Sequence, residues 1–207
     1  MSFAGHSLAC VRGERLVFED LDFSLPPGGA LVITGANGSG KTSLLRLAAG
    51  LATPAAGAFT WEGAAISESP EAHKARTAFV GHLDAVKPAF TALEDLRFWM
   101  RFRGEDGGAA AAEAALARFA IEALAEIPAR LLSAGQRRRL ALARLAAAPA
   151  RLWLLDEPTV ALDDVAVAAL MSLVAEHRTS GGAVMVATHQ ALALEDTQIL
   201  HLGGPGA

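Results

Sequence analysis

Apolar and polar positions alternate through the first thirty residues, most clearly at Leu21, Phe23 and Leu25, which is the period of strands with one buried face. The turn Pro26-Pro27-Gly28-Gly29 ends this stretch. It leads into Ala30-Leu31-Val32-Ile33, apolar at every position, as a strand covered on both faces requires. A helix is expected over 41–49, with Gly50 as its C-cap and Pro54 preventing its resumption. Short strands are expected at 58–61 and 75–81. From about 83 to 148 the period becomes helical with little β-branching, over 91–103, 109–119 and 133–147. Thr91-x-x-Glu94 forms a capping box for the first of these helices. The pattern then reverts to a strand at 152–155, a helix at 163–178 and strands at 183–187 and 198–202. Strands alternating with helices imply crossover connections and a mostly parallel sheet. The fold class is therefore α/β: a mostly parallel sheet core, an antiparallel β-subdomain from the N-terminal strands, and an inserted helical subdomain. As a single domain, 1–207, the core takes approximately 1–82 and 149–207 and the helical subdomain approximately 83–148.

Composition narrows the partners. The chain has 207 residues and a formal charge of −4, with pI near 5.9, so no global basic field is present to hold nucleic acid. A mean hydropathy of +0.33 reflects alanine and leucine spread along the chain. No apolar run approaches the roughly 20 residues that span a bilayer. Charged Arg12, Glu14, Arg15, Glu19 and Asp20 interrupt any secretory leader, so the protein is expected on the cytoplasmic side. Cys10 is the only cysteine, and the six histidines show no metal-binding spacing, so no structural metal site is indicated.

The segment Gly35-Ala36-Asn37-Gly38-Ser39-Gly40-Lys41-Thr42 matches G-x-x-x-x-G-K-[ST] between a predicted strand and a predicted helix. Its glycines let backbone N–H groups curl around phosphate, and the following helix directs its positive dipole end at the same anion. Residues from Gly35 to Ser43 are the candidate nucleotide-binding loop. Lys41 would reach the β- and γ-phosphates, and Thr42 would ligate Mg²⁺. Leu152-Trp153-Leu154-Leu155-Asp156-Glu157 is an apolar strand ending in two carboxylates, which face the ligand crevice of an open α/β sheet. Asp156 would hold Mg²⁺ and Glu157 would polarise the attacking water, a division that suits phosphoryl transfer. Alone, such a pair reads equally as a helix N-cap.

Upstream lies Leu132-Ser133-Ala134-Gly135-Gln136, then Arg137-Arg138-Arg139-Leu140-Ala141-Leu142-Ala143-Arg144. Ser133 is a predicted helix N-cap; its hydroxyl, the Gly135 N–H and the helix dipole make a second anion site. Three successive arginines on a helix point in different directions, which favours a solvated or phosphate-adjacent face over a nucleic-acid patch.

These motifs in this order resemble the ATP-binding-cassette ATPases, whose signature ordinarily reads LSGGQ. The resemblance implies ATP hydrolysis with Mg²⁺ in a head-to-tail dimer, where the signature residues Ser133, Ala134, Gly135 and Gln136 close over the other subunit's ATP. It assigns Pro158 to Asp163 as the D-loop, His189 as the switch histidine touching the γ-phosphate, and Glu157, His189 and Lys41 as catalytic. Three positions depart from the pattern. The aromatic expected to stack on adenine falls near Arg12, in a chain without tyrosine, leaving Arg12 or Phe18 to serve. His82 occupies the place of the glutamine that senses Mg²⁺, and Val160 that of the D-loop serine.

Val80-Gly81-His82-Leu83-Asp84-Ala85-Val86-Lys87, Thr91 to Trp99, the LSAGQ signature and Thr188-His189-Gln190 narrow the resemblance to the ATPases of cytochrome c maturation. That family implies hydrophobic membrane subunits as partners, a peripheral position on the cytoplasmic face of the inner membrane, and coupling of hydrolysis to haem export or release of a haem-loaded chaperone. Another ABC transporter subunit or a soluble ABC ATPase is the alternative. The cluster Phe98, Trp99 and Phe102 reads as packing within the helical lobe or as a groove for a membrane subunit.

Overall fold

The computed structural model describes residues 2–148, 150–190 and 192–203. The expected subdomain boundary at 149 lies outside the described residues. By contacts the chain divides into two compact units, one of residues 1–81, 151–157 and 176–207, the other of 82–150 and 158–175.

The first unit holds two sheets. Strands β1 (Phe3–Arg12), β2 (Arg15–Leu25), β4 (Ala56–Trp61) and β5 (Ala64–Ala65) form an antiparallel sheet in the order β2-β1-β4-β5. The β4–β5 hairpin turns through Glu62 (φ 53°) and Gly63 (φ 84°), the paired left-handed residues of a two-residue turn. Strands β3 (Ala30–Thr34), β6 (Thr77–Val80), β7 (Leu152–Asp156), β8 (Ala183–Ala187) and β9 (Thr197–His201) form the parallel sheet, in the order β6-β7-β8-β3-β9. Every residue of β7 and β8 is buried, which explains their unbroken apolar runs. Helix α1 (Lys41–Ala48) buries Leu44, Leu45 and Leu47 in a core shared with Leu31, Ile33, Leu152, Leu154 and Met185. Each such side chain contributes about 1.5–3 kcal/mol.

One element departs from expectation. The strand predicted over 75–81 begins only at Thr77, because residues Pro70–Arg76 form a helix, α2. Pro70 sits at its first turn, where a missing N–H costs nothing, a start signal that the short seven-residue length obscured.

The second unit is helical. Helices α3 (Ala92–Phe102), α4 (Ala109–Arg118) and α5 (Ala134–Ala147) pack on one another, and Leu96, Met100, Ala112, Ala115, Leu116, Leu140 and Ala143 are among their buried residues. The alanines permit this close approach. The predicted capping box is present: Thr91 Oγ1 accepts from the Glu94 N–H at 3.2 Å, and Glu94 Oε2 accepts from the Thr91 N–H at 2.8 Å. Helix α6 (Asp164–Thr179) starts in this unit and ends in the first. Among the described residues, no helix is long and apolar enough to cross a membrane.

Candidate nucleotide-binding and hydrolysis site

Strand β3 delivers Gly35 at the C-terminal edge of the parallel sheet, and the chain turns sharply into α1. Gly35 has φ 142°, and a Cβ there would lie 2.4 Å from the Leu202 carbonyl oxygen. Gly40 has φ 103°, and its Cβ would meet Val17 Cγ1 at 2.5 Å. Only glycine fits either place. Ala36, Asn37 and Gly38 form the exposed crest, and Ser43 lies half-buried in the first turn of α1. The helix N-terminus carries neither a side-chain cap nor an acidic residue, so its first N–H groups and dipole end are left for an anion. Ser39 is buried, and its Oγ has no hydrogen-bond partner. Lys41 Nζ folds back to donate to the carbonyls of Gly35 (2.8 Å) and Ala36 (3.2 Å).

Two strands away, β7 ends in Asp156, which is 2% exposed. Its Oδ2 accepts a hydrogen bond from Thr42 Oγ1 at 2.9 Å, so two of the three residues expected to hold Mg²⁺ are in contact. Hard oxygen donors of this kind fit that ion. Glu157 follows with a left-handed backbone, φ 48°, held by its N–H donating to the Ala187 carbonyl at 2.8 Å. Its Oε2 lies 2.9 Å from His189 Nδ1, which donates to it. The histidine is half exposed and the carboxylate mostly covered. Sequence reasoning placed both residues in the site but not against each other. It also passed over Thr188: fully buried, this residue anchors its N–H on the Ile33 carbonyl (3.1 Å), and its hydroxyl accepts from the Gln190 N–H (3.0 Å). That turn aims His189. The Thr-His-Gln run was the available signal.

In the second unit, Ser133 caps α5 as predicted. Its Oγ accepts from the Gln136 N–H at 3.2 Å, and Gln136 Oε1 accepts from the Ser133 N–H at 2.8 Å. Ser133 and Ala134 are exposed. Gly135 packs against the D-loop, where an added Cβ would lie 2.8 Å from the Ala161 carbonyl oxygen. Asp163 caps α6 by accepting from the Ala166 N–H at 3.0 Å, and it is ion-paired with Arg139. The arginine triplet differs from expectation. Arg137 donates to the Leu132 carbonyl, Arg138 is buried against Asp84, and Arg139 binds the Phe119 carbonyl and Asp163. These cations are internal ties, because the three directions they take all meet protein.

Arg12 stands exposed at the tip of the β1–β2 hairpin, opposite Arg15. Phe18 is 8% exposed and packs beside Gly40, so it offers no open stacking face and falls as the alternative to Arg12. His82 belongs to the second unit and is exposed. Within the aromatic cluster, Trp99 is half-buried under the Arg144 guanidinium (4.7 Å to the ring centroid), whereas Phe102 is 72% exposed.

Residues 18–160 match the profile of the ABC transporter family. The chain is 53% identical over 203 residues to the cytochrome c biogenesis ATP-binding export protein CcmA of Paramagnetospirillum magneticum, covering 97% of this chain and 94% of that protein. It is 54% identical over 200 residues to the protein of the same name from Rhodospirillum rubrum, covering 97% and 85%. It is 45% identical over 206 residues to that from Nitrobacter winogradskyi, covering 99% of each. In fold it is similar to an ATP-binding subunit of an ABC transporter, with a TM-score of 0.86, 22% identity and coverage of 98% and 86%. It is likewise similar to the ATP-binding cassette MJ0796, solved as a dimer after hydrolysis with ADP and Pi, with a TM-score of 0.85, 23% identity and coverage of 98% and 96%. The chain therefore belongs to the ABC transporter family of ATP-binding, ATP-hydrolysing subunits and, within it, to the cytochrome c biogenesis ATP-binding export proteins.

Proposed function

We propose that this ATPase drives a membrane complex of cytochrome c maturation, coupling hydrolysis to haem export or to release of a haem-loaded chaperone. The names of its relatives support the cytochrome c role. The observation that supports the site is the meeting of Thr42 with Asp156 and of Glu157 with His189, at one edge of one sheet. In this reading residues from Gly35 to Ser43 cradle the phosphates. Lys41 exchanges its two loop carbonyls for β- and γ-phosphate oxygens, and the unpartnered Ser39 hydroxyl is consistent with an oxygen ligand. Thr42 and Asp156 hold Mg²⁺, with His82 in the place of the usual glutamine. When bound, the ion neutralises phosphate charge. Glu157 orients water and accepts its proton; His189 steadies that carboxylate and reaches the γ-phosphate. Arg12 stacks on the base.

The chain works as one nucleotide-binding domain, with its core at approximately 1–82 and 149–207 and its helical subdomain at approximately 83–148. Two copies act head to tail, so that Ser133, Ala134, Gly135 and Gln136 of one subunit cover the ATP of the other, with Asp163 in the D-loop at the seam. Hydrophobic membrane subunits hold the pair on the cytoplasmic face of the inner membrane.

The test uses Glu157→Gln, which removes the base but not the phosphate cradle. Turnover should fall about 10²–10⁴-fold with ATP binding retained. Tagged Glu157→Gln protein captured with ATP from detergent-solubilised membranes should bring small hydrophobic subunits and a haem chaperone. A different permease would remove the haem role, soluble partners alone would remove transport, and wild-type turnover would remove Glu157 as the base.

A further inference from the structure

The register of the β1–β2 hairpin gives its tip two distinct faces. Val11 pairs with Leu16 and Arg12 with Arg15, but Cys10 pairs with Phe18, so Val17 is the extra residue of a β-bulge. The bulge turns two neighbouring side chains the same way. A Cβ at Gly40 would lie 2.5 Å from Val17 Cγ1 and 3.2 Å from Phe18 Cδ1, so both reach the end of the phosphate loop. From Val17 toward the tip the alternation resumes, and cross-strand partners share a face. Leu16 and Val11 therefore lie on the far face, and Arg15 and Arg12 on the face that meets the loop. Arg15 starts about 7 Å along the strand from Val17, a span that its own side chain covers. Both arginines are exposed, and among the described residues neither guanidinium has a hydrogen-bond or ion-pair partner. Like charges directly opposite each other are unfavourable in a sheet, so the pair needs a reason to stand beside an anion site.

We infer that Arg12 and Arg15 receive the nucleotide base together, and that Arg15 makes the site accept guanine at least as well as adenine, so that GTP is a second substrate. The inference rests on the reading above, in which residues from Gly35 to Ser43 hold the phosphates and Arg12 stacks on the base. Cross-strand Cβ atoms stand about 5 Å apart, so one guanidinium over the ring leaves the other at the ring's edge. A guanidinium carries five donors in a fixed fork and no acceptor. Guanine offers it two acceptors side by side, O6 and N7; adenine offers N7 beside the N6 amine, which opposes a donor. Glu14, exposed in the turn, could accept from an amine of either base and does not discriminate. The chemistry is that of ATP: the water oxygen bonds to the γ-phosphorus, the bond to the β–γ bridging oxygen breaks, and GDP and inorganic phosphate leave. Glu157 takes the proton of the water.

The experiment measures kcat/KM of the full chain for ATP, GTP and ITP, which shares O6 and N7 with GTP but lacks its N2 amine. GTP and ITP should both match or exceed ATP. Arg15→Met should lower the GTP:ATP ratio about tenfold, the worth of one bidentate pair. Arg15→Lys should lower it as far, because a point charge cannot form the fork. The ratio is the readout, since general damage to the hairpin would reduce both nucleotides alike. A GTP value below about a tenth of that for ATP overturns the proposal. So does an unchanged ratio in Arg15→Met, which would make Arg15 a phosphate or surface cation, and so does a ratio kept by Arg15→Lys. If the unsubstituted protein hydrolyses neither nucleotide, the hydrolytic reading fails instead. Displacement of N-methylanthraniloyl-ATP by ATP and GTP then decides the base preference by the same ratio, and Lys41→Ala binding both as tightly as the unsubstituted chain would count against the phosphate-loop reading.

Discussion

His177 lies flat on Trp153, with ring centroids 3.8 Å apart and planes within 4°, on the strand that ends at Asp156. Burial holds its pKa below the usual histidine value, and the hydrogen bond to the Ala183 carbonyl opposes this only in part. Buried His73 is shifted the same way, chiefly by burial. The sign follows from linkage. Near neutral pH both folded and unfolded chains carry these rings uncharged. As pH falls below about 6.5 the unfolded chain takes up protons first, so stability is lost on acidification. Thermal midpoints should therefore drop between about pH 7 and pH 5.5, and His177→Phe, which keeps the stacking without the titration, should flatten the slope. Melting curves by circular dichroism check this; an unchanged slope would exclude His177 as a contributor. Glu157 shows the limit of sequence reasoning at this scale. Its acidic character was legible beside Asp156, but its left-handed backbone and its bond to His189 depend on residues joined only by the sheet.

Capping boxes are the elements read most reliably, because a Ser or Thr and the Glu or Gln three residues on satisfy each other locally. Both Thr91 with Glu94 and Ser133 with Gln136 form as the spacing predicts. The two should behave alike in stability and differently in function. Thr91→Ala and Ser133→Ala should each cost about 1 kcal/mol in chemical denaturation. Only Ser133→Ala should also lower turnover, since its cap lies in the signature. Equal turnover in the two variants would separate Ser133 from hydrolysis. Helix α2 was missed for the converse reason: a seven-residue helix has little periodicity of its own and depends on contacts such as His73 with the Ala48 carbonyl at 2.8 Å. The arginine triplet was misjudged because a run of charge has no periodicity that identifies its partners. Asp84 and Asp163, which bind Arg138 and Arg139, lie far off in the chain.

For the whole molecule, a phosphate loop built on left-handed glycines and an uncapped helix is completed by its ligand, so ATP should stabilise the fold. At a hundredfold excess over Kd the gain is about 2.7 kcal/mol. In a chain of this size that raises the thermal midpoint by roughly 5–10 °C. Lys41→Ala should lose most of this shift, and differential scanning calorimetry with and without ATP and Mg²⁺ measures it. An equal shift in the variant would detach Lys41 from the phosphates. By itself, the sequence determined the α/β class, most of the strands and helices with α2 excepted, the phosphate loop, the acidic strand end and both caps. Each of these depends on residues within a few positions of one another, where backbone geometry and side-chain reach decide the outcome. Only the tertiary structure decided the Thr42–Asp156 and Glu157–His189 contacts, the burial of Phe18, and the ties of Arg138 and Arg144 to residues 82–90. Those pairs join positions distant in the chain, and spacing along a sequence carries no distance in space until the strands are paired and the helices packed.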